Sequence, residues 1–377
     1  MEKKLKLRDS NFELLRCISM FMIVVTHVIV HGYVIEHVNG MTHTVTDLLK
    51  CILYVHVNSF ILVTGYYQCK GKFKLNKIFQ LNNAAWFYGI AIALIIIGFN
   101  LYPISKLDMF RLLLPIQLEG YWFIKMYIYL YCLTPVLNLV IDNINQKYHK
   151  RIIYVGILLF SIVPTITNKL TFDNARGFSL PSFVLLYFIG AYFRKYPIDK
   201  TKLFEKFSKN KQVVTVALVF IGSVIFNFLL HRFGHSLNHG EIIGEIRKVI
   251  VNSTFAYDNP LLLLSSVSYF LLFYYIRFQS KFINNIGKLV LGVYLIHEQF
   301  IFNDFFYRYF GFADILGNGW KVSKSLSVFI PMFATSIFIF IVCLIIEWIR
   351  QKLFKFIYDR KLSTKLREKF YHFIETF

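Results

Sequence analysis

Arg16 and His27 are the residues of this chain with the clearest capacity for chemistry. They lie eleven positions apart in one apolar stretch, Asn11-Phe-Glu-Leu-Leu-Arg-Cys-Ile-Ser-Met-Phe-Met-Ile-Val-Val-Thr-His-Val-Ile-Val-His31. A charge inside an apolar span is expensive and marks a functional hypothesis. Eleven residues at about 100° each make three turns plus about 20°, so both side chains share one helix face, about 16 Å apart along the axis. That is roughly half the hydrocarbon core of a bilayer. The pair could grip the two ends of a long, thin, anionic ligand threaded into the membrane. A planar guanidinium suits phosphate at one end. An imidazole at the other can take a proton near neutral pH. Each residue also has a plainer reading. Arg16, about one turn inside a membrane boundary, can snorkel. A single His can serve as an interhelical hydrogen-bonding group. Glu13, three residues before Arg16 and on its face, can pair with it.

Further polar residues stand in apolar surroundings. His297 lies in Gly292-Val-Tyr-Leu-Ile-His-Glu-Gln299. Glu298 follows directly, but helical neighbours do not face each other, so the two need not pair. His56 falls near the middle of its span in His56-Val-Asn-Ser59, and Gly65 is expected to allow close helix approach. Tyr121 and Trp122 fit an interfacial aromatic belt. Lys125, about a turn further in, can snorkel or can face inward and stabilise an anion. His231, His235 and His239 recur every four residues, as in some zinc sites. Gly234 and Gly240 interrupt that run and no carboxylate is spaced to complete it, so no metal is expected. The five cysteines show no paired spacing and read as packing residues. No glycine-rich phosphate loop, GxSxG elbow or HExxH pattern is present, which argues against nucleotide hydrolysis, serine hydrolase and zincin chemistry.

The elements that must position these groups are membrane helices. The 377 residues are 56% hydrophobic and include 41 Phe and 24 Tyr. Ten apolar spans are read at about 11–31, 45–67, 79–100, 121–141, 152–168, 180–193, 212–230, 260–276, 286–304 and 326–349. The expectation is an all-α polytopic bundle in the cell membrane, a single domain over 1–377, with its core at 11–349 and a basic tail at 350–377. The net charge of +21 follows topology rather than nucleic acid. Most of the 42 Lys and Arg fall in alternate loops, such as Lys70, Lys72, Lys74 and Lys77, and Arg194 through Lys211. By the positive-inside rule both termini are then cytoplasmic. The first apolar run contains Arg16, continues past His27 and lacks a small-x-small site, so it is expected to stay as a transmembrane helix.

The residues also resemble a known family, membrane-bound acyltransferase family 3, the ten-helix bacterial O-acyltransferases. Arg16 and His27 match its first-helix pattern of Arg, ten residues, His. Val57-Asn-Ser-Phe-Ile-Leu-Val-Thr-Gly-Tyr66 is similar to its second-helix signature, with Thr64 where Ser is usual. Tyr121-Trp-Phe123, Tyr131 and Pro135-Val-Leu-Asn138 resemble the fourth-helix pattern. Tyr187-Phe-Ile-Gly-Ala191 and Gly292-Val-Tyr-Leu-Ile-His297 resemble later elements. The resemblance implies transfer of an acyl group, usually acetyl from acetyl-CoA, to a saccharide hydroxyl. Under it Arg16, with Glu13 and Ser19, binds the donor. His27 is either the general base or the acyl carrier, with general-base action favoured, and His297 lines the same chamber. Trp122, Tyr294, His56 and Lys125 are placed with the substrate. Lys125 is unexpected in the family pattern and points to an anionic or lipid-phosphate acceptor. The implied partners are membrane lipid, acyl-CoA and a cell-surface or lipid-linked glycan, with no nucleic acid; a homo-oligomer is compatible with the chain. The alternative is a glycan transporter or flippase, which would need neither acetyl-CoA nor Arg16 and His27 in register.

Overall fold

A computed structural model describes residues 8–32, 34–101, 103–116, 118, 121–167, 174–201, 204–237, 240–303, 305–306 and 328–359. His239, Lys3, Lys4, Lys6 and the tail beyond Asp359 lie outside the described residues. The described residues are helical and contain no strand. A helix closes its own backbone hydrogen bonds, which is what an apolar solvent demands.

The main helices are α1 (Ser10–His31), α2 (Gly40–Leu53), α3 (His56–Gln68), α4 (Leu75–Gly98), α5 (Trp122–Asn143), α6 (Gln146–Thr167), α7 (Leu180–Lys195), α8 (Lys209–Ser236), α9 (Pro260–Tyr275), α10 (Lys281–Gly287), α11 (Val290–His297) and α12 (Phe329–Asp359). Among the described residues seven stretches are long and apolar enough to cross a membrane, with α2 and α3 counted as one stretch, Gly40–Gln68. The chain is therefore a multi-pass membrane protein. Three of the ten expected spans are not among these seven. The sixth and eighth are the 16-residue helices α7 and α9. The ninth, read as one helix over 286–304, is divided among α10, α11 and a four-residue helix, Phe300–Asn303.

Helix α1 is the axis of the bundle. It packs against α2, α3, α9, α10, α11 and α12. Its first turn is fixed by polar side chains. Asn11 donates to the Phe273 carbonyl at 2.8 Å, and the backbone N–H of Ser280 donates to the Ser10 hydroxyl at 2.9 Å. Beside it, α3 and α7 meet through reciprocal glycines. A Cβ on Gly65 would fall on the Tyr187 backbone, and one on Gly190 would fall on the Leu62 carbonyl. Small residues permit this approach where no hydrophobic force between helices operates.

Prolines are accommodated by their neighbours. Pro135 inside α5 has no N–H for the Tyr131 carbonyl. The Thr134 hydroxyl donates to that carbonyl at 2.7 Å. In α6 a π turn at Leu158–Ile162 runs directly into Pro164. Asn138 of α5 ties α3 to α7: it donates to the Gln68 carbonyl at 3.0 Å and accepts from the Tyr187 hydroxyl at 2.6 Å. The five cysteines are all free.

Gly65→Ala is expected to force α3 and α7 apart and to cost about 1–3 kcal/mol, the usual penalty of overpacking. Thermal unfolding in detergent measures this; an unchanged midpoint would contradict the close approach.

Candidate functional site

The site is built where α1 passes the end of α11. The His27 Nδ1 atom lies 3.1 Å from Nε2 of His297 and 2.8 Å from Oε2 of Glu298. His297 is fully buried, and Glu298 and His27 are largely so. The tautomers follow from the partners. His297 Nδ1 is 2.5 Å from the Val293 carbonyl, which can only accept, so this nitrogen carries the proton. In the neutral ring Nε2 then holds a lone pair aimed at His27. His27 then presents its proton on Nδ1 to His297, with the Glu298 carboxylate at ion-pair distance from the same nitrogen. Its own Nε2 is left with the lone pair, the form a general base requires.

Two consecutive residues can face the same partner because the helix stops between them. Glu298 is the cap of α11, with φ −96° and ψ 1°, and its N–H bonds to the Tyr294 carbonyl at 3.0 Å. The fully buried Gln299 then caps the next short helix, its side-chain oxygen accepting from the Phe302 N–H at 2.8 Å. The expectation that neighbours do not share a face holds only inside a helix. Glu298 is the main residue discounted on that ground, although a carboxylate in an apolar segment was signal enough to keep it.

Other candidates gather around this centre. His31, one turn after His27 in α1, has its ring 5.2 Å from that of His27. Tyr294 packs against His297 at 6.2 Å, Tyr121 at 5.9 Å and Phe123 at 5.8 Å. Its buried hydroxyl has no hydrogen-bond partner among the described residues. His56 is buried with both ring nitrogens equally unpartnered there. Tyr257, which drew no attention in the sequence, stands between two candidates. It contacts His56 at 5.8 Å and stacks on Trp122 at 6.0 Å. Trp122 also meets Phe178 at 4.5 Å. An aromatic wall thus leads from Trp122 toward the histidines.

The remaining candidates lie apart. Arg16 is three turns back along α1, half-buried, and paired with Glu13 at 3.5 Å. Glu13 also pairs with Arg8 at 3.2 Å. Ser19 is fully buried beside Tyr269 of α9. Lys125 borders a separate small cavity with Asn82, Ile116 and Tyr129.

A metal ion could also be held here. Ligand atoms of His27, His31 and Glu298 all lie within 4.8 Å of one another. Two imidazoles and a carboxylate are a donor set that zinc accepts. His231 of the four-residue histidine run instead faces Asp47, its Nε2 at 3.6 Å, and His43 reaches the same carboxylate at 3.1 Å.

A multi-pass helical bundle with a buried histidine–carboxylate centre on its axial helix is the class these features define. The family model described as "Acyltransferase domain", that of acyltransferase family 3, matches residues 9–349. The chain belongs to this family and is a membrane acyltransferase. Comparison with curated proteins and with solved structures returns no match.

Gln299→Ala would leave the Phe302 N–H without its acceptor and loosen the turn that aims Glu298. The expected cost is about 1–3 kcal/mol, as for a buried donor left unpaired. A lowered unfolding midpoint in detergent would report it; a midpoint equal to wild type would deny the turn its structural role.

Proposed function

We propose that this membrane acyltransferase transfers an acetyl group from acetyl-CoA to a hydroxyl of a cell-surface or lipid-linked saccharide. It does so in the cell membrane with both termini cytoplasmic. The observation that carries the reading is the His27 imidazole, its Nδ1 edge against His297 and Glu298, on the same helix face as Arg16. A donor with phosphates at one end and a thioester at the end of a flexible arm suits that spacing.

In the reaction the acceptor hydroxyl approaches His27 Nε2, which takes its proton as the oxygen attacks the thioester carbonyl carbon. The carbonyl oxygen carries the negative charge of the tetrahedral intermediate. The C–S bond then breaks, and the departing sulfur takes the proton back from Nε2, leaving the acetyl ester and free CoA. Glu298 stabilises the imidazolium in between, and His297 fixes the ring through the same Nδ1 edge. The Tyr294 hydroxyl and the His56 ring, both buried near this centre, engage polar groups of the substrates. Trp122 offers an aromatic face for a sugar ring or the donor arm. Arg16, with Glu13 beside it, contacts the phosphate end of the donor. None of these steps calls on a metal.

Calorimetry of acetyl-CoA with the purified protein in nanodiscs tests the donor. Saturable binding is expected. Arg16→Ala should weaken it about tenfold or more, as for a lost charge-assisted contact. Chelator treatment should leave binding and turnover unchanged. No binding of any acyl-CoA by folded protein would overturn the proposal.

A further inference from the structure

A cavity of about 440 Å³ opens beside the first turn of α1, bordered by Asp9, Asn11, Tyr66, Arg194, Tyr274 and Arg277. Both arginines are exposed toward solvent, and each lies over a tyrosine. The Arg194 guanidinium stands 5.0 Å from the Tyr66 ring centre and donates to its hydroxyl at 3.3 Å. The Arg277 guanidinium stands 5.9 Å from the Tyr274 ring. Neither has a carboxylate within ion-pair distance among the described residues. The nearby acids are engaged by tyrosines instead. Asp9 accepts from Tyr67 at 2.6 Å, and Asp199 accepts from Tyr274 at 3.0 Å. Two cations held in place by rings, without anions of their own, in a cavity of nucleotide size, form a site for phosphate.

The spacing along α1 says which phosphate. Asp9 precedes Arg16 by seven residues, or about 10 Å of helix, and Arg16 precedes His27 by about 16 Å. The arm of CoA from pyrophosphate to sulfur is about thirteen bonds. At roughly 1.2 Å per bond, as in an extended peptide, it spans about 16 Å. With the thioester at His27 the pyrophosphate falls level with Arg16. The adenosine and its 3′-phosphate then extend one further length, to the mouth where the cavity lies. Resting on the acyl-CoA reading above, we infer that Arg194 and Arg277 bind the 3′-phosphoadenosine end of the donor, while Arg16 meets its pyrophosphate. The planar guanidiniums, exposed above the buried tyrosine rings, offer a stacking surface for the base.

The test compares two donors, acetyl-CoA and acetyl-pantetheine, which keeps the thioester arm and lacks the nucleotide. It uses the full-length protein in nanodiscs as wild type, Arg194→Ala/Arg277→Ala and Arg194→Lys/Arg277→Lys. The Ala pair should raise KM for acetyl-CoA about tenfold or more per arginine removed. It should leave kinetics with acetyl-pantetheine as in wild type, and the Lys pair should fall between. Adenosine 3′,5′-bisphosphate should compete with acetyl-CoA in wild type and lose potency in the Ala pair. If the Ala pair fails to fold, the Lys pair and the competition assay carry the test. Equal impairment with both donors, or with neither, overturns the inference and leaves the acyltransferase reading in place. A rate that follows anionic lipid content only while the arginines are present, with donor KM unmoved, would assign the cavity to a headgroup and also overturn it. A wild type that uses neither donor would remove the reading on which the inference rests.

Discussion

The structure depends on keeping ionisable groups inside an apolar bundle without leaving them unpaired. A lone buried imidazole or carboxylate in hydrocarbon is costly, and a partner offsets that cost only when its geometry is good. Here the solution is the meeting of His27 with His297 and Glu298 across two helices. It requires α11 to stop at His297, so that two adjacent residues face one ring. It requires α1 to sit at the centre, held at its start by Ser10 and Asn11 and surrounded by six helices. The close glycine contact of α3 with α7 sets the wall against which α1 lies.

Much of this was legible in the sequence because the bilayer imposes so few solutions. The apolar runs indicated most of the helices, and His27 and His297 were both singled out before the fold brought them together, whereas Arg16 lies three turns from them. Gly65 as a close-approach residue could be anticipated from its place in an apolar span. What was not legible is where helices break without a breaker. The segment 286–304 carries no proline, and its two glycines do not mark the stop after His297. The break is held by Gln299 capping the next turn, a tertiary choice that periodicity cannot reveal. Glu298 was set aside for that reason. Tyr257 was missed because it lies in a loop, outside any span, and reaches His56 and Trp122 only through the fold.

The polar groups are ordered along α1 rather than gathered at one point. Arginines stand at its first turns, the imidazole centre stands near its far end, and apolar residues fill the distance between. Such an order suits a donor that is charged at one end and reactive at the other. Under the proposed function it would also keep a thioester away from bulk water, where hydrolysis would compete. The His56 nitrogens and the Tyr294 hydroxyl, two of several buried polar groups without a hydrogen-bond partner among the described residues, lie at the histidine end.

The central claim is that His27 moves the proton, with Glu298 supporting it. Pre-steady-state release of CoA from acetyl-CoA, in the presence of a glycan acceptor and alongside donor-binding measurements, addresses it most directly. The account predicts that His27→Ala binds acetyl-CoA as wild type does yet loses acceptor-dependent release. Glu298→Gln should slow release about a hundredfold, a general acid–base contribution, because His297 still orients the ring. Near-normal release by folded His27→Ala would contradict it.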